Sequence, residues 1–413
     1  MRLVVCCLNY APELISTGKY TTEMTRWFVA RGHEVRMVTG YPYYPEWRLW
    51  PGWPVWRYSR SKDSGVDVIR CPLWVPRHVS GPRRILHFLT FAWSATPVLL
   101  WCALWKPDYI VSVAPTIAVA PPVLIAARLC GSRSLLHVQD LEVDAAAGLG
   151  MLGTPGIGMR AALRFQDWII RRFDLVAAIS AEMAARIVQK GAAATSVVLV
   201  PNWVTHGLLE ERGDGAAYRS QFGVKDGETL VLYSGNLGVK QGLEVALEAL
   251  AILAQRGQPA IKLVLCGEGA ARSRLVDLAE SLGLANVAFA PLQPAESLGE
   301  LLRSADIHMV TQRSGAAGTS MPSKLGGILA SGRPVVVSAE PSSGLSRTVH
   351  EADAGVVVAP NDPEALADAL ASLSLCADVR EVLGESGRAW AQAHLDEEEI
   401  LGRMEATLLE ALA

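Results

Sequence analysis

The chain of 413 residues is too long for one ordinary hydrophobic core, and because half of its residues are hydrophobic we expect about two domains. Its formal net charge of −3 and the absence of any Lys/Arg run exclude a general nucleic-acid-binding protein. Seven cysteines without ligand-like spacing, behind an N-terminus that does not resemble a signal peptide, indicate reduced thiols in a cytoplasmic protein.

Short apolar runs alternate with helical periods through the first half of the chain. Between the first two runs, residues 17–32 ("TGKYTTEMTRWFVARG") place Met24, Trp27 and Phe28 on one helix face. Continuous apolar strands separated by helices predict a parallel sheet that is covered on both faces. The predicted strands are 2–9, 34–40, 66–73, 108–115, 133–140, 174–180 and 196–202.

Residues 41–60, "YPYYPEWRLWPGWPVWRYSR", repeat tryptophan at every third position between prolines. Tryptophan rings stack on sugars and also settle at the membrane–water interface, so one interpretation is an acceptor-binding or membrane-facing loop. The other interpretation is a cap over a hydrophobic core. The tryptophans concerned are Trp47, Trp50, Trp53 and Trp56.

Residues 85–105, "ILHFLTFAWSATPVLLWCALW", contain no Asp, Glu, Lys or Arg and are long enough to span a membrane. Pro97 interrupts the run, and the predicted strands 66–73 and 108–115 flank it. Strands of one sheet cannot lie on opposite sides of a bilayer, which disfavours a span. An interfacial helix and a buried crossover helix remain as alternatives.

In residues 135–150, "LLHVQDLEVDAAAGLG", a predicted strand ends in acidic side chains. A carboxylate at the carboxyl end of a strand can face a ligand, and Asp140 is the candidate; a solvated loop is the alternative. His137 lies within the apolar strand and is predicted to be a core residue. No Asp-x-Asp pair and no cluster of His and Cys supports a metal site.

The alternation begins again after a polar, glycine-bearing linker at residues 206–229. The predicted fold class is therefore α/β, with two Rossmann-like, doubly wound parallel-sheet domains facing each other across a cleft. Such folds bind ligands beyond the carboxyl ends of their strands. The predicted strands of the second half are "TLVLYSG", "IKLVLCG", "NVAFAP", "DIHMVTQ", "RPVVVSA" and "AGVVVAP".

The first strand end of the second half suits a phosphate group. In "LVLYSGNLGVKQGLEVALEAL" (230–250), Gly235 and Gly238 permit a close backbone approach, and Lys240 can neutralise negative charge. The next strand end carries Gly267 and Gly269 but lacks the last glycine of a dinucleotide fingerprint. An NAD-dependent dehydrogenase is therefore disfavoured.

A second helix start with phosphate-binding character lies in "GTSMPSKLGGILASGRPVVV" (318–337). Hydroxyl groups, free backbone N–H groups and an ammonium at a helix N-terminus are the groups that a diphosphate needs. An ordinary capped helix is the alternative. The residues concerned are Thr319, Ser320, Pro322, Ser323 and Lys324.

Together these blocks resemble the retaining glycosyltransferases of the GT-B fold, and more narrowly the family 4 glycosyltransferases of colanic-acid-type exopolysaccharide biosynthesis. The resemblance covers essentially the whole chain and rests on "NYAPE", "TGKYTTEM", "YPYYPEW", "HVQDLEVDAAAGLG", "YSGNLGVKQGLE" and "MPSKLGGILASGRPVV". It implies an acceptor-binding domain at 1–203 and a nucleotide-sugar-binding domain at 204–385. A final helix at 386–413 would pack back towards the N-terminal domain. No cofactor and no metal ion are implied.

The same resemblance assigns residue roles. Lys240 and Lys324 would stabilise the leaving diphosphate, and Asp140 would orient the sugars. The sequence departs from the family at Asn236, where an arginine is usual, and at Thr319 and Gly327, where paired glutamates are usual. The expected donor-binding residues are Gly18, Lys19, Gly235, Asn236, Gly238, Gly267, Gly269, Pro291, Leu292, Ser320 and Ser323.

The predicted function is transfer of a sugar from GDP-fucose or a UDP-sugar to a polyprenyl-diphosphate-linked glycan. Such an acceptor requires access to the inner face of the cytoplasmic membrane, so we expect peripheral association there. Residues 45–58 and 85–105 would form one membrane-facing, acceptor-guiding surface. The alternatives are a non-catalytic nucleotide-sugar-binding partner of a membrane assembly and a nucleotide-sugar 2-epimerase.

Overall fold

The computed structural model describes residues 1–13, 17–53, 56–78, 80–141, 143–144, 156–210, 213, 215–258, 260–314 and 324–412. The chain divides into two compact units. One comprises Met1–Pro201 with Leu401–Ala413, and the other comprises Asn202–Ile400. Each unit is an α/β domain built on its own mainly parallel sheet, as the alternation of apolar runs and helical periods predicts.

The strands of the first unit are β1 (Arg2–Cys6), β2 (Glu34–Thr39), β3 (Ser59–Asp63), β4 (Val66–Arg70), β5 (Tyr109–Ala114), β6 (Arg133–Val138), β7 (Leu175–Ala178) and β8 (Val197–Leu199). They lie in the order β3-β4-β2-β1-β5-β6-β7-β8, and only β3 runs antiparallel to its neighbour. Because the order reverses between β1 and β5, the loops after these two strands border the expected ligand crevice of this sheet.

Strand β3 was not predicted, and several predicted strands end early. Ser59–Asp63 reads "SRSKD" and is largely exposed, so no apolar run marks it; it forms by pairing with β4 at the edge of the sheet. The predicted strands 2–9 and 66–73 end at Cys6 and Arg70. Cys7, Leu8, Cys71 and Leu73 beyond those ends are still buried, and their burial rather than strand pairing explains the apolar character of these positions.

The helices of the first unit are α1 (Thr17–Ala30), α2 (Gly81–Ala103), α3 (Ala120–Cys130), α4 (Ile157–Ile170) and α5 (Ala181–Gln189). Helix α2 continues through Pro97. Proline removes one helical hydrogen bond, but Phe91 and Leu99 on either side of it are fully buried and hold both halves of the helix on the sheet.

The strands of the second unit are β9 (Thr229–Ser234), β10 (Ile261–Cys266), β11 (Val287–Ala290), β12 (Ile307–Thr311), β13 (Val335–Ser338) and β14 (Gly355–Val358). They lie in the order β11-β10-β9-β12-β13-β14, and all neighbouring pairs are parallel. The order reverses between β9 and β12, so the loops after these strands border the ligand crevice expected for this sheet.

The helices of the second unit are α6 (His206–Glu210), α7 (Ala216–Gln221), α8 (Glu244–Gln255), α9 (Arg272–Ser281), α10 (Leu298–Ser304), α11 (Lys324–Ala330), α12 (Gly344–Glu351), α13 (Pro363–Leu375) and α14 (Ala377–His394). A last helix, α15 (Glu397–Leu412), belongs to the first unit from Leu401 onwards. There Glu405 lies 2.5 Å from His33 Nε2, and Tyr109 donates its hydroxyl to Leu408 O at 3.0 Å. Residue 386, the expected start of the final segment, lies within α14.

Candidate active site

The loops after β9 and β10 interlock at the carboxyl edge of the second sheet. Gly235 N donates to Cys266 O at 2.9 Å, and Leu237 N donates to Glu268 O at 2.8 Å. A Cβ on Gly267 would lie 1.9 Å from Gly235 O, and the φ of Gly267 is +146°. Only glycine fits that position. Gly267, which was predicted to bind the donor, is therefore required for packing the loop after β10 on the loop after β9.

The other predicted glycines of this edge lie in the same loop pair. A Cβ on Gly269 would lie 2.6 Å from Asn236 Oδ1, and one on Gly238 would lie 2.8 Å from Gln241 Oε1. Asn236 is exposed, and its backbone carbonyl oxygen accepts a hydrogen bond from the Tyr233 hydroxyl at 2.7 Å. The structure thus brings the two glycine-bearing segments together into one preformed loop.

Lys324 places a buried ammonium beside this loop. Its Nζ is buried and makes no hydrogen bond within the part of the chain that the structure describes. The Nζ lies 3.8 Å from the centroid of the Tyr233 ring and 3.2 Å from the position of a Cβ on Gly235. Loss of hydration lowers the pKa of Lys324 to about 7. A buried ammonium without a carboxylate is costly, so an anion is the ligand that fits this position.

Further cationic groups lie at the other end of the loop. Lys240 is exposed in a turn of 3₁₀ helix, Val239–Gln241, and its carbonyl accepts a hydrogen bond from Arg313 N at 3.0 Å. Arg313 follows β12, and its guanidinium donates to Glu244 Oε1 at 3.0 Å. Arg313 was not among the residues predicted from the sequence, because only the pairing of β12 with β9 brings it to this loop.

The remaining predicted donor residues are less fully described. Pro291 and Leu292 follow β11 at the same edge of the sheet; Pro291 O accepts a hydrogen bond from Cys266 Sγ at 3.2 Å, and the Leu292 side chain is exposed. Ser320 and Ser323 lie outside the described residues. Within the described residues, no group of three or more His, Cys, Asp or Glu side chains is arranged to hold a metal ion.

In the first unit, Gly18 and Lys19 lie in the first turn of α1. A Cβ on Gly18 would lie 2.3 Å from Glu13 O, so close packing of the preceding loop requires glycine there. Lys19 Nζ lies 4.7 Å from the centroid of the Tyr20 ring and 3.5 Å from Glu23 Oε2. Unlike Lys324, Lys19 therefore already has a carboxylate partner.

Glu13, which sequence analysis did not select, bridges two loops of the first unit. Its buried carboxylate accepts hydrogen bonds from the backbone N–H groups of Tyr43 and Tyr44, the latter at 2.5 Å, and from Asn9 Nδ2 at 3.0 Å. Burial raises the pKa of Glu13, although these hydrogen bonds oppose the rise. The bridge joins "NYAPE" to "YPYYPEW", so the two sequence blocks form one structural unit next to the start of α1.

Asp140 follows β6 at the carboxyl edge of the first sheet. It is exposed and lines a small pocket whose apolar wall includes Leu141 and Ile170. His137 is buried in the core within β6, where loss of hydration lowers its pKa to about 4 and keeps the imidazole neutral. Its Nε2 lies 3.1 Å from the side-chain amide of Gln139.

The four tryptophans of residues 41–60 differ in their exposure. Trp47 and Trp53 are half-buried and pack against the core of the first unit, and the Arg70 guanidinium lies 4.6 Å from the centroid of the Trp53 ring. Trp50 is half-buried. Only Trp56 is strongly exposed, at 79%. The contacts of Trp47 and Trp53 agree with the core-cap interpretation, and the membrane-facing interpretation stays a prediction.

Helix α2 has one buried face and one exposed apolar face. It connects β4 and β5 of a single sheet and is thus a crossover helix. Among the described residues it is the one helix long and apolar enough to cross a membrane, and 39% of its most apolar window is buried. Trp93 is 84% exposed and Leu104, just after the helix, 80% exposed. The exposed side, called the apolar α2 face below, comprises Ile85, Leu86, Leu89, Trp93, Leu100, Trp101 and Leu104.

Both halves of the chain match glycosyltransferase families. The group 1 glycosyl transferases match residues 215–390, and the glycosyl transferase 4-like domain matches residues 17–203. A protein named as the colanic acid biosynthesis glycosyl transferase WcaI, from Escherichia coli (strain K12), is 39% identical over 97% of this chain and 98% of its own. A D-inositol 3-phosphate glycosyltransferase from Nocardia farcinica is 31% identical over 54% of this chain and 51% of its own.

Solved structures agree on the fold. Sucrose-phosphate synthase from Thermosynechococcus elongatus has a TM-score of 0.78 at 20% identity, with 100% of both chains covered. HepE from Anabaena, in complex with UDP and glucose, has a TM-score of 0.71 at 15% identity, with 99% of both chains covered. These similarities confirm the expected GT-B fold. From its two parallel-sheet domains and the matches along both of them, the chain belongs to the group 1 glycosyl transferases, with a glycosyl transferase 4-like domain in its first half.

Proposed function

We propose that this chain transfers a sugar, with retention of anomeric configuration, from a nucleotide-diphosphate donor to a lipid-linked oligosaccharide in exopolysaccharide biosynthesis. The observation that carries the proposal is the Lys324 ammonium, which is buried beside the loop of residues 235–242 and has no hydrogen-bond partner among the described residues. A diphosphate is the anion that such a site would accept. The similarity to WcaI along nearly the whole chain supports a colanic-acid-type polysaccharide as the product.

The second unit binds the donor in this proposal. The diphosphate would lie against the glycine loop, with Lys324 at one end and Lys240 in the 3₁₀ turn. Negative charge grows on the leaving diphosphate as the glycosidic bond breaks, and one well-placed donor group at such a position is typically worth about 3–4 kcal/mol. GDP-fucose or a UDP-sugar is the proposed donor. A UDP-sugar is supported by the complexes of HepE, which contain UDP and glucose or UDP-glucose.

The transfer needs no protein nucleophile in this mechanism. The acceptor hydroxyl forms the new bond to the anomeric carbon on the face from which the diphosphate departs, as the bond to the phosphate oxygen breaks. The hydroxyl proton passes to that phosphate oxygen. Asp140, exposed at the carboxyl end of β6, would orient the sugar hydroxyls. The side-chain cations supply the charge stabilisation, so we propose a reaction that is independent of metal ions and cofactors.

The proposed acceptor is a glycan linked to polyprenyl diphosphate at the inner face of the cytoplasmic membrane. The apolar α2 face supports peripheral association there, because exposed tryptophan and leucine side chains on a helix can insert between lipid headgroups. Arg83 and Arg84 lie in the first turn of α2 and carry the charge that anionic lipids attract. Trp56 is close in sequence to Tyr58, whose hydroxyl donates to Ser94 O of α2 at 3.0 Å.

Donor binding is tested by thermal stabilisation of the purified protein with GDP-, UDP- and dTDP-sugars. We expect one nucleotide class to raise the melting temperature of wild type, and Lys324→Ala or Lys240→Ala to remove that rise. Lys225→Ala is the matched control, because Lys225 is exposed and precedes β9 at the opposite edge of the sheet. Stabilisation that survives both site substitutions would contradict the proposed site.

Transfer itself is tested with the stabilising donor and membrane extracts that contain lipid-linked oligosaccharide. We expect release of nucleoside diphosphate together with a glycosylated lipid product whose new linkage keeps the donor's anomeric configuration. Binding without transfer would instead favour the non-catalytic sugar-nucleotide-binding alternative.

Membrane association is tested by sedimentation with vesicles of phosphatidylglycerol and phosphatidylethanolamine. Trp93→Glu should reduce the vesicle-bound fraction several-fold, because it introduces a charge into the inserted face. Val382→Glu is the control, since Val382 is an exposed apolar residue on α14, a helix of the second unit. Equal binding of both variants would exclude the apolar α2 face as the contact.

A further inference from the structure

We propose that Arg313 is a second cation of the diphosphate site, and that Glu244 holds its guanidinium in place while the site is empty. The proposal rests on the proposed function and completes its donor site. Its basis is the position of Arg313 at the crevice between β9 and β12, together with a carboxylate that has two arginine partners.

Arg313 is built into the glycine loop by its backbone. Its N–H donates to Lys240 O at 3.0 Å, which ties the end of β12 to the 3₁₀ turn of the loop. The aliphatic part of its side chain packs on Gly242, where a Cβ would lie 2.7 Å from Arg313 Cγ. Gly242 has a φ of +62°, so both its conformation and its lack of a side chain favour this contact. The guanidinium is therefore delivered to one fixed end of the loop.

Glu244 pairs with Arg313, and it also pairs with Arg274. Its Oε1 lies 3.0 Å from Arg313 Nη2 and 2.7 Å from Arg274 Nη2. The carboxylate side chain is only 12% exposed, so leaving it unpaired would be costly. Because Arg274 stays bound to the same oxygen, Arg313 can turn towards an anion without leaving Glu244 alone. The guanidinium fork matches two oxygens of one phosphate.

The two cations mark opposite ends of the loop. Lys324 Nζ lies next to Gly235, where the loop leaves β9, and Arg313 lies on Gly242, where the loop enters α8. A diphosphate carries charge on two linked phosphate groups. A cation at each end of the loop would therefore contact one phosphate each, which a nucleoside monophosphate could not satisfy.

The alternative is that Arg313 only braces the loop through Glu244. The two roles predict opposite effects of Glu244→Gln. If Arg313 acts on the diphosphate, Glu244→Gln releases the guanidinium and removes a nearby negative charge, so the diphosphate should bind more tightly. If the ion pair only braces the loop, Glu244→Gln should weaken binding as much as Arg313→Ala does.

The experiment is isothermal titration calorimetry with GDP and UDP, and with GMP, UMP, guanosine and uridine as shorter probes. For the diphosphate that wild type binds, Arg313→Ala should weaken affinity about 10- to 100-fold, the range for a lost charged hydrogen bond. Nucleoside affinity should stay within about threefold, because that ligand carries no phosphate. Arg256→Ala is the matched control, since it removes an ion-paired arginine at the other end of α8 and should leave diphosphate affinity within about threefold.

Glu244→Gln should raise diphosphate affinity by about two- to tenfold, as expected for removal of one nearby like charge. Equal losses for Arg313→Ala and Arg256→Ala, or a loss for Glu244→Gln, would overturn the proposal. If Arg313→Ala does not fold, Arg313→Lys and Glu244→Gln carry the same test, with Arg313→Lys expected to lose part of the affinity. Failure of wild type to bind any diphosphate would count against the proposed function itself, whereas wild-type binding that is indifferent to Arg313 would refute this inference alone.

Discussion

Replacing Lys324 by methionine should stabilise the empty protein, in contrast to the usual effect of a substitution inside a binding site. The Lys324 ammonium is buried beside Gly235 and has no hydrogen-bond partner in the described chain. Methionine keeps much of the side-chain volume and removes the charge. The cost of burying an unpaired ammonium, which only a bound anion would offset, should then disappear from the free energy of unfolding.

The size of the effect follows from the pKa of Lys324, which burial lowers from 10.5 to about 7. Each unit corresponds to 1.36 kcal/mol, so the full penalty is about 5 kcal/mol. Below pH 7 both the folded and the unfolded chain hold the proton, and the whole penalty applies. Between about pH 7 and 10.5 only the unfolded chain keeps it, so the free energy of unfolding of wild type rises with pH across that window.

Thermal denaturation of wild type and Lys324→Met, from pH 6 to pH 10 without ligand, measures this difference. The variant should melt higher at pH 6, at about 2–4 °C for each kcal/mol in a domain of this size. The gap should close as the pH approaches 10. Lys225→Met, at an exposed lysine, should show no such trend. A wild type that is more stable than Lys324→Met at pH 6, or a difference in melting temperature that does not change with pH, would refute this role of Lys324.

Substitutions elsewhere test the packing of the loops. Gly267→Ala should cost at least about 3 kcal/mol in free energy of unfolding, since its Cβ would meet a carbonyl at 1.9 Å; Gly283→Ala, at φ +67° in open space, should cost only about 1–2 kcal/mol in the same urea titration. Glu13→Ala should cost about 2–4 kcal/mol, because it leaves buried backbone N–H groups unpaired, and a loss under 1 kcal/mol by the same measurement would contradict the bridge. Burial by itself would raise the pKa of Glu405, but hydrogen bonds from His33 and Arg31 lower it below its ordinary value. The ionised Glu405 carboxylate therefore contributes to the free energy of unfolding above pH 4.5, and this contribution is lost as the pH falls through the lowered pKa. Glu405→Gln should flatten the acid side of the curve of stability against pH. An unchanged acid side would disprove this role.

Local patterns predicted the elements that the chain uses. Continuous apolar runs between helical periods indicated two parallel sheets, because a strand buried on both faces must be apolar at every position. The glycine-bearing turn at 235–238 and the ammonium of Lys324 were selected from residue types and spacing. These features depend on residues only a few positions apart in the chain, so they can be predicted from the order of residues alone.

Strand order decided what the sequence left open. Arg313 reaches the glycine loop only because β12 lies next to β9, and Glu13 reaches the "YPYYPEW" block only because β1 lies next to β2. The spacing of residues in the sequence does not show that these strands are neighbours. Arg313 and Glu13 are common residue types, so neither is marked as a site residue by its chemistry alone. The strand Ser59–Asp63 was missed for the same reason, since its polar residues pair with a neighbour rather than bury a face.

The sequence also did not show which tryptophans of residues 41–60 are buried. Their repeat in residues 41–60 was plain from the sequence, but periodicity in a proline-rich loop does not say which rings turn inward. Trp47 and Trp53 pack on the core, while Trp56 remains exposed and α2 keeps an apolar outer face. The sequence alone determined two parallel α/β domains with a phosphate-suited loop, because these depend on local order. Only the tertiary structure decided which cations share that loop and which aromatic rings face outward, because contacts between distant residues depend on how the strands are arranged in each sheet.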